Sequence, residues 1–88
     1  MAPTEQSQIS DAVRGILKDY GRLSVDVDTL TEQADLYQAG MTSHASVNLM
    51  LALEDHFDVE FPDHMLKRSV FESVASISSA VETLKSEA

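Results

Sequence analysis

Cysteine is absent from all 88 residues, which excludes disulfide bridges, zinc–thiolate sites and a cysteine nucleophile. No apolar run approaches the roughly 20 residues of a membrane-spanning helix. The first residues also lack the basic and apolar blocks of a signal peptide, so we expect a cytoplasmic protein that does not bind membranes. Because 43% of the residues are hydrophobic, we expect one small folded domain over residues 1–88, ordered over about 4–86, without a deep substrate pocket.

Positive charge is missing from the middle of the chain. Between Leu23 and Leu66 there are nine acidic residues and neither Lys nor Arg, and this segment accounts for the whole net charge of −9. A field of this sign repels nucleic acid and speeds encounters with basic protein surfaces. We therefore expect protein partners and no nucleic acid, although solubility alone is an alternative explanation.

The first half of the chain predicts one helix followed by a long loop. The helix runs from about Thr4 to Tyr20, and Gly21 ends it. The segment Leu23–Ala39 has no sustained periodicity, and its Asp and Thr residues favour turns and caps. Loops this long often lie beside functional sites. The predicted core residues of both segments are Ile9, Val13, Leu17, Tyr20, Leu30 and Leu36.

Three more helices are predicted in the second half. One runs from about Ser43 to about Phe57, a short one runs from Pro62 to about Arg68, and Ser73 caps the last. No segment alternates like a strand for more than a few residues. The fold class is therefore all-α, a small four-helix bundle with a long loop between its first two helices. The predicted core residues here are Leu49, Met50, Leu53, Phe57, Val74, Ile77, Val81 and Leu84.

Ser43 is the candidate modification site, because it lies where a Gly-containing loop turns into a helix. The first backbone N–H groups of a helix have no partner within it, and they lie at the positive end of the helix dipole. A hydroxyl group there is well placed to carry a phosphate.

An apolar strip follows Ser43 on the same side of the helix. Val47 and Leu51 lie four and eight residues beyond it, away from the predicted core face. An exposed apolar strip bordered by acids predicts a docking surface, although isolated apolar residues are also common on protein surfaces. The predicted docking residues are Met41, Thr42, His44, Val47, Asn48, Leu51, Glu54 and Asp55.

The segment from Asp35 to Asp63 contains a set of spaced features, namely Asp35-Leu36, Gly40, Ser43, the run Val47–Asp55, Phe57 and Phe61-Pro62-Asp63. With these features the segment resembles the acyl carrier protein family of phosphopantetheine carriers. The resemblance implies a non-catalytic carrier, in which a phosphopantetheinyl transferase moves 4′-phosphopantetheine from coenzyme A onto Ser43 to give O-(pantetheine 4′-phosphoryl)serine. The thiol at the end of this arm holds an acyl group as a thioester.

Neutral residues around the serine separate this chain from general fatty-acid carriers. Thr42 replaces the Asp that commonly precedes the serine, and Ala45 and Asn48 are neutral where such carriers usually have acids. Since charge complementarity selects partners, a dedicated partner is expected. The segments 35–47 and 57–63 are most similar to bacterial aminoacyl carrier proteins.

That similarity implies an amino acid as the cargo. It also implies an ATP-dependent amino acid:carrier protein ligase that resembles a class II aminoacyl-tRNA synthetase, and a downstream acceptor enzyme. A monomer is the expected state. Two alternatives stay open, namely a carrier for a specialised fatty-acid or polyketide-type pathway and an unmodified acidic helical adaptor.

Metal and enzyme sites are not expected. Asp26, Asp28 and Glu32 lack the central Gly and the twelfth-position Glu of a calcium loop. The three histidines are not spaced to share a metal, and no cysteine supports them. His44 follows Ser43 directly, and adjacent helical side chains diverge, so the two do not form a nucleophile–base pair.

Overall fold

Four α-helices surround one hydrophobic core in the computed structural model, which describes residues 5–87, with side chains described over residues 8–86. Helix α1 packs against α2 and α4, and α3 packs against α4. Within residues 5–87 there is no strand, and the predicted all-α fold is confirmed. The helices are α1 (Glu5–Tyr20), α2 (Ser43–Phe57), α3 (Arg68–Phe71) and α4 (Val74–Glu87), with 3₁₀ turns at Val27–Thr29 and Asp63–Met65.

Helix α1 contributes most of its predicted stripe to the core. Ile9, Val13 and Leu17 are buried, whereas Tyr20 is 46% exposed, so its predicted place in the core was wrong. The last turn of α1 lies beside α2 at the surface, whereas Ile16, one turn earlier, is buried. The predicted start at Thr4 lies outside the described residues.

Gly21 ends α1 through a close backbone approach. Its N–H donates to the carbonyl oxygen of Leu17 at 2.8 Å. A Cβ at this position would lie 2.9 Å from the same oxygen, which is closer than a side chain tolerates. The next residue, Arg22, takes the left-handed conformation (φ 52°) and turns the chain into the loop.

The long loop is held by apolar anchors and by one arginine of α1. Leu36 is fully buried as predicted, Leu30 packs against the core, and Val27 is a buried anchor that the sequence pattern did not indicate. Nη1 of Arg14 donates to the carbonyl oxygens of Val27 and Leu30, at 2.9 and 3.0 Å. These contacts tie the loop to the middle of α1.

The loop is also linked to α1 by an exposed ion pair. Nζ of Lys18 lies 2.6 Å from Oδ2 of Asp28. The hydrogen bond and the charge of Asp28 raise the pKa of Lys18. Solvent screens such a pair, so its contribution to stability is small.

Arg14→Met should loosen the loop. The variant keeps the aliphatic stem but leaves the carbonyls of Val27 and Leu30 without the guanidinium. We expect the free energy of unfolding in urea to fall by about 1–3 kcal/mol, with faster amide exchange in the loop. Arg22→Met, which removes an exposed cation, should change stability by less than about 0.5 kcal/mol. Equal stability of the two variants would contradict this role for Arg14.

Helix α2 has the predicted bounds of Ser43–Phe57. Leu49 and Leu53 are fully buried, while Met50 and Phe57 are half-buried and pack at the edge of the core. Asp58 ends the helix in the left-handed conformation, and its N–H donates to the carbonyl oxygen of Glu54. The face of α2 opposite Leu49 and Leu53 is therefore left to solvent.

The predicted third helix was wrong in its bounds. A single 3₁₀ turn follows Pro62, the chain is extended at Lys67 (φ −143°, ψ 158°), and α3 then begins at Arg68. Phe71 of α3 is buried in the core, where the centroid of its ring lies 5.4 Å from that of the Phe61 ring. Burial of Phe71 is a tertiary contact that local spacing does not encode.

Helix α4 begins at the predicted cap. Oγ of Ser73 accepts a hydrogen bond from the backbone N–H of Ser76 at 3.0 Å. The predicted inward stripe, from Val74 to Leu84, is buried. Among the described residues, no helix has the length and apolar character that crossing a membrane requires.

Candidate functional site

The turn before α2 is fixed by Asp35 and Leu36. Oδ1 of Asp35 accepts a hydrogen bond from the N–H of Tyr37 at 2.9 Å, which closes a local turn. The fully buried Leu36 donates its N–H to the carbonyl oxygen of Glu72 and accepts from the N–H of Met41 at 3.0 Å. The start of α2 is thereby held against the junction between α3 and α4.

Gly40 closes this turn in a conformation that other residues rarely adopt. Its φ is +115°, and a Cβ there would lie 3.0 Å from the backbone nitrogen of Ser24. Ser24 donates both its N–H and its hydroxyl to the carbonyl oxygen of Ala39, at 2.9 and 2.8 Å. The beginning and the end of the long loop therefore meet directly ahead of Ser43.

Ser43 is the first residue of α2, and its side chain is exposed. Oγ1 of Thr42 accepts a hydrogen bond from the N–H of Ala45 at 3.0 Å and caps the helix. The carbonyl oxygen of Ser43 accepts from the hydroxyl of Ser46 at 2.7 Å. Oγ of Ser43 makes no hydrogen bond to any described residue, so the hydroxyl is available at the positive end of the helix dipole.

The predicted strip is exposed on the same side of α2. Val47 and Leu51 are 52% and 53% exposed, so their predicted exposure is confirmed. Asp55 is exposed beyond them, and Glu54 is half-buried, with its carboxylate accepting from the N–H of Phe61 at 2.8 Å. Glu54 therefore also stabilises the turn after α2.

The other predicted docking residues divide into surface and core positions. Thr42 and His44 are exposed beside Ser43, and Asn48 is half-buried next to the strip. Met41 is only 3% exposed, so its placement on a docking surface was wrong. Its N–H donates to the carbonyl oxygen of Leu36, and its side chain is part of the hydrophobic core. These contacts fix the position of the start of α2.

A groove opens beside Ser43, between α2 and the segment that leads into α3. Its volume is about 490 Å³, and apolar side chains form most of its wall. We call it the Ser43 groove. We did not predict this groove from the sequence, although the first cations after the acidic segment, Lys67 and Arg68, could have indicated an anion-binding surface. The lining residues are Tyr37, Ser43, Ser46, Val47, Met50, Leu66, Lys67, Arg68 and Phe71.

A second surface cavity, of about 500 Å³, lies near Leu51. The exposed ring of Tyr20 contributes to it from the end of α1, and Asp55 contributes from α2. Val47 lines the Ser43 groove and Leu51 lines the second cavity. The apolar strip of α2 is therefore a ridge with a depression at either end.

Metal-ligating side chains do not cluster in the part of the chain that the structure describes. Over these residues, no group of three or more His, Cys, Asp or Glu side chains is arranged to hold a metal ion. His56 and His64 are exposed.

The family model described as the phosphopantetheine attachment site matches residues 11–84, and this match spans the turn, Ser43 and the ridge. The chain belongs to this family of phosphopantetheine carriers. The carrier family uses covalent 4′-phosphopantetheine as its cofactor.

Individual carrier proteins are also similar to this chain in sequence and in structure. An aminoacyl carrier protein of Agrobacterium fabrum is 47% identical over 72 residues, which cover 82% of this chain and 87% of that protein. A carrier protein from Agrobacterium tumefaciens, in complex with an engineered Bradyrhizobium japonicum glycine:carrier protein ligase and ATP, is 45% identical with a TM-score of 0.82, covering 85% of this chain and 97% of that one. A holo acyl carrier protein from Nitrosomonas europaea is 34% identical with a TM-score of 0.79, covering 90% and 98%.

The residues around Ser43 fit the family's prosthetic group. Oγ of Ser43 is exposed and makes no described hydrogen bond that an attached phosphate would have to break, and the first N–H groups of α2 favour negative charge there. Lys67 and Arg68 add positive charge at the edge of the adjoining groove. The apolar wall of the groove suits the less polar part of a pantetheine chain.

Proposed function

We propose that the chain carries an activated amino acid on a 4′-phosphopantetheine arm attached to Ser43. The exposure of the Ser43 hydroxyl at the start of α2, in line with Val47 and Leu51, is the observation that carries this proposal. When bound, the arm supplies a thiol that holds the amino acid as a thioester. An amino acid:carrier protein ligase resembling a class II aminoacyl-tRNA synthetase loads it with the help of ATP, and a downstream acceptor enzyme removes it.

The chain itself positions the arm and provides the surface that partner enzymes recognise, and it performs no catalysis. Oγ of Ser43 loses its proton and bonds to the phosphorus of the phosphopantetheine part of coenzyme A, the pyrophosphate bond breaks, and adenosine 3′,5′-bisphosphate leaves. The phosphopantetheinyl transferase must activate the Ser43 hydroxyl, because His44 is on the neighbouring helical position and diverges from it. Thr42 fixes the helix start, and Val47 and Leu51 provide the apolar contacts for partners. We further propose that it works as a single monomeric domain in the cytoplasm.

The amino acid cargo is supported by the relatives and by the surface around Ser43. The relatives include an aminoacyl carrier protein and a carrier bound to a glycine ligase. Thr42, Ala45 and Asn48 leave the first turns of α2 without acids. Because charge complementarity guides partner choice, this neutral surface favours a dedicated ligase over fatty-acid enzymes.

Intact-mass spectrometry tests the proposal in two steps. The chain is first incubated with coenzyme A and a broad-specificity phosphopantetheinyl transferase, and we expect a gain of one phosphopantetheine. The holo form is then offered amino acids, glycine first, with ATP and the Bradyrhizobium japonicum glycine:carrier protein ligase. A parallel reaction offers malonyl-coenzyme A with a malonyl transferase. We expect the aminoacyl adduct to form at least about ten times faster than the malonyl adduct, a difference of about 1.4 kcal/mol in activation free energy.

Each contrary result identifies one of the alternatives. Faster malonyl loading would overturn the amino acid cargo and favour a carrier for a specialised fatty-acid or polyketide-type pathway. No mass gain from coenzyme A would overturn the carrier function and leave the unmodified adaptor.

A further inference from the structure

The fold brings two cations to the groove beside Ser43. Lys67 and Arg68 follow directly after the segment that contains no Lys or Arg. The extended backbone at Lys67 separates the 3₁₀ turn from α3. Both side chains line the Ser43 groove, so two cations from just beyond the acidic segment lie at the candidate modification site.

Arg68 is held in the groove by an aromatic ring instead of an acid. Its guanidinium carbon lies 4.2 Å from the centroid of the Tyr37 ring. Among the described side chains the one ion pair joins Lys18 to Asp28, so neither Lys67 nor Arg68 has a carboxylate partner there. A guanidinium stacked on a ring keeps its N–H donors in the plane available for an anion.

We propose that Lys67 and Arg68 bind the phosphodiester of the arm on Ser43, while the apolar wall of the Ser43 groove packs against the pantetheine chain. This inference rests on the proposed attachment at Ser43. Charge-assisted hydrogen bonds from lysine and arginine to phosphate oxygens are stronger than bonds between neutral groups. The two cations are positioning residues that hold the arm along α2.

The groove suits a ligand that is already tethered. A volume of about 490 Å³ lies within the range of small-molecule sites, roughly 300–1,000 Å³. A short covalent tether gives the arm an effective concentration on the order of millimolar. Weak contacts therefore suffice to occupy the groove, and a partner enzyme can still withdraw the arm.

The cargo end should stay outside the groove. An amino acid held through its carboxyl group retains a positively charged ammonium. Inside the groove this ammonium would lose its hydration against Val47, Met50 and Phe71 and would lie near two like charges. The groove therefore holds the phosphate end of the arm and leaves the amino acid accessible to solvent and to the acceptor enzyme.

A charge-matched pair of double variants tests the role of the cations. Lys67→Gln with Arg68→Gln removes both from the groove. Arg22→Gln with Lys85→Gln removes the same net charge from exposed positions that do not line it. Each protein is prepared in the apo form and in the holo form, and the holo mass is verified first. The readouts are the difference in Tm between the two forms and the change in backbone amide chemical shifts on modification.

We expect modification of the wild-type chain to shift the amides of Tyr37 and Phe71, which line the groove and lie outside residues 42–47. An arm bound about three times as often as it is free would raise the Tm of the holo form by about 4 °C. The groove variant should lose at least about half of both effects, whereas the control variant should retain them. In the wild type both should weaken at 1 M salt, where the Debye length falls to about 3 Å.

Two results would overturn the inference while leaving the carrier function intact. One is amide shifts confined to residues 42–47 of the wild-type holo form. The other is an equal Tm increase and equal shifts in the groove and control variants. Absence of the holo mass in the wild type would overturn the attachment at Ser43 and this inference with it.

Discussion

Ser43→Ala is expected to abolish the gain of phosphopantetheine mass completely. The variant lacks the oxygen that bonds to phosphorus, and Ser43 alone occupies the first position of α2. Because Oγ of Ser43 makes no described hydrogen bond, its removal should change the free energy of unfolding by less than about 0.5 kcal/mol. Intact-mass spectrometry after incubation with coenzyme A and the transferase measures the first effect, and urea unfolding measures the second.

Ser46→Ala is the matched control for this experiment. Ser46 lies one turn further along α2, lines the same groove and donates its hydroxyl to the carbonyl oxygen of Ser43. A transferase that reacts with any hydroxyl near the groove would modify Ser46 when Ser43 is absent. We expect Ser46→Ala to be modified fully and Ser43→Ala to stay unmodified. An equal mass gain in both variants would refute Ser43 as the attachment residue.

Leu51→Asp should lower the rate of amino acid loading about 10- to 100-fold while the chain stays folded. Leu51 is 53% exposed on the ridge, and a carboxylate there must be desolvated when an apolar partner surface covers it. A loss of this size corresponds to about 1.4–2.8 kcal/mol of binding energy, as expected for a central interface residue. Val47→Asp should behave similarly. Loading is measured on holo protein with the ligase, and folding is measured by circular dichroism and urea unfolding.

A second leucine on the same helix separates docking from folding. Leu53 is fully buried, so Leu53→Ala should destabilise the chain by about 2–5 kcal/mol. Leu51→Gln distinguishes lost apolar contact from added charge, because it is polar but neutral, and we expect a smaller loss of loading than with Asp. Unfolding of Leu51→Asp to the extent seen for Leu53→Ala would mean that this surface belongs to the core. Unchanged loading by a well-folded Leu51→Asp would remove Leu51 from the interface.

Helix α2 shows why part of the site was predictable from sequence. Its start depends on Thr42, which caps a backbone N–H three residues away, and its end lies at Phe57 as predicted. The exposure of Val47 and Leu51 follows from the helical period once Leu49 and Leu53 are assigned to the core. All these interactions act over a few residues, so local sequence contains them.

Errors occurred where distant segments decide the outcome. Met41 is buried because the turn after Leu36 folds it under α2, although its position next to the candidate site suggested a surface residue. Tyr20 fits the helical stripe but lies where α1 and α2 meet at the surface. The chain is extended at Lys67, where a helix was predicted, and Phe71 of the helix that follows packs against Phe61. None of these three outcomes follows from spacing within one element.

The sequence by itself determined the all-helical class, the bounds of α2, the candidate hydroxyl at its start and the apolar strip behind it. Capping and periodicity are local, and they agree with the family features of the segment from Asp35 to Asp63. The tertiary structure alone decided that Lys67, Arg68 and Tyr37 meet beside Ser43. Tyr37 precedes the serine by six residues and the two cations follow it by more than twenty, so only the packing of the long loop and α3 brings them together.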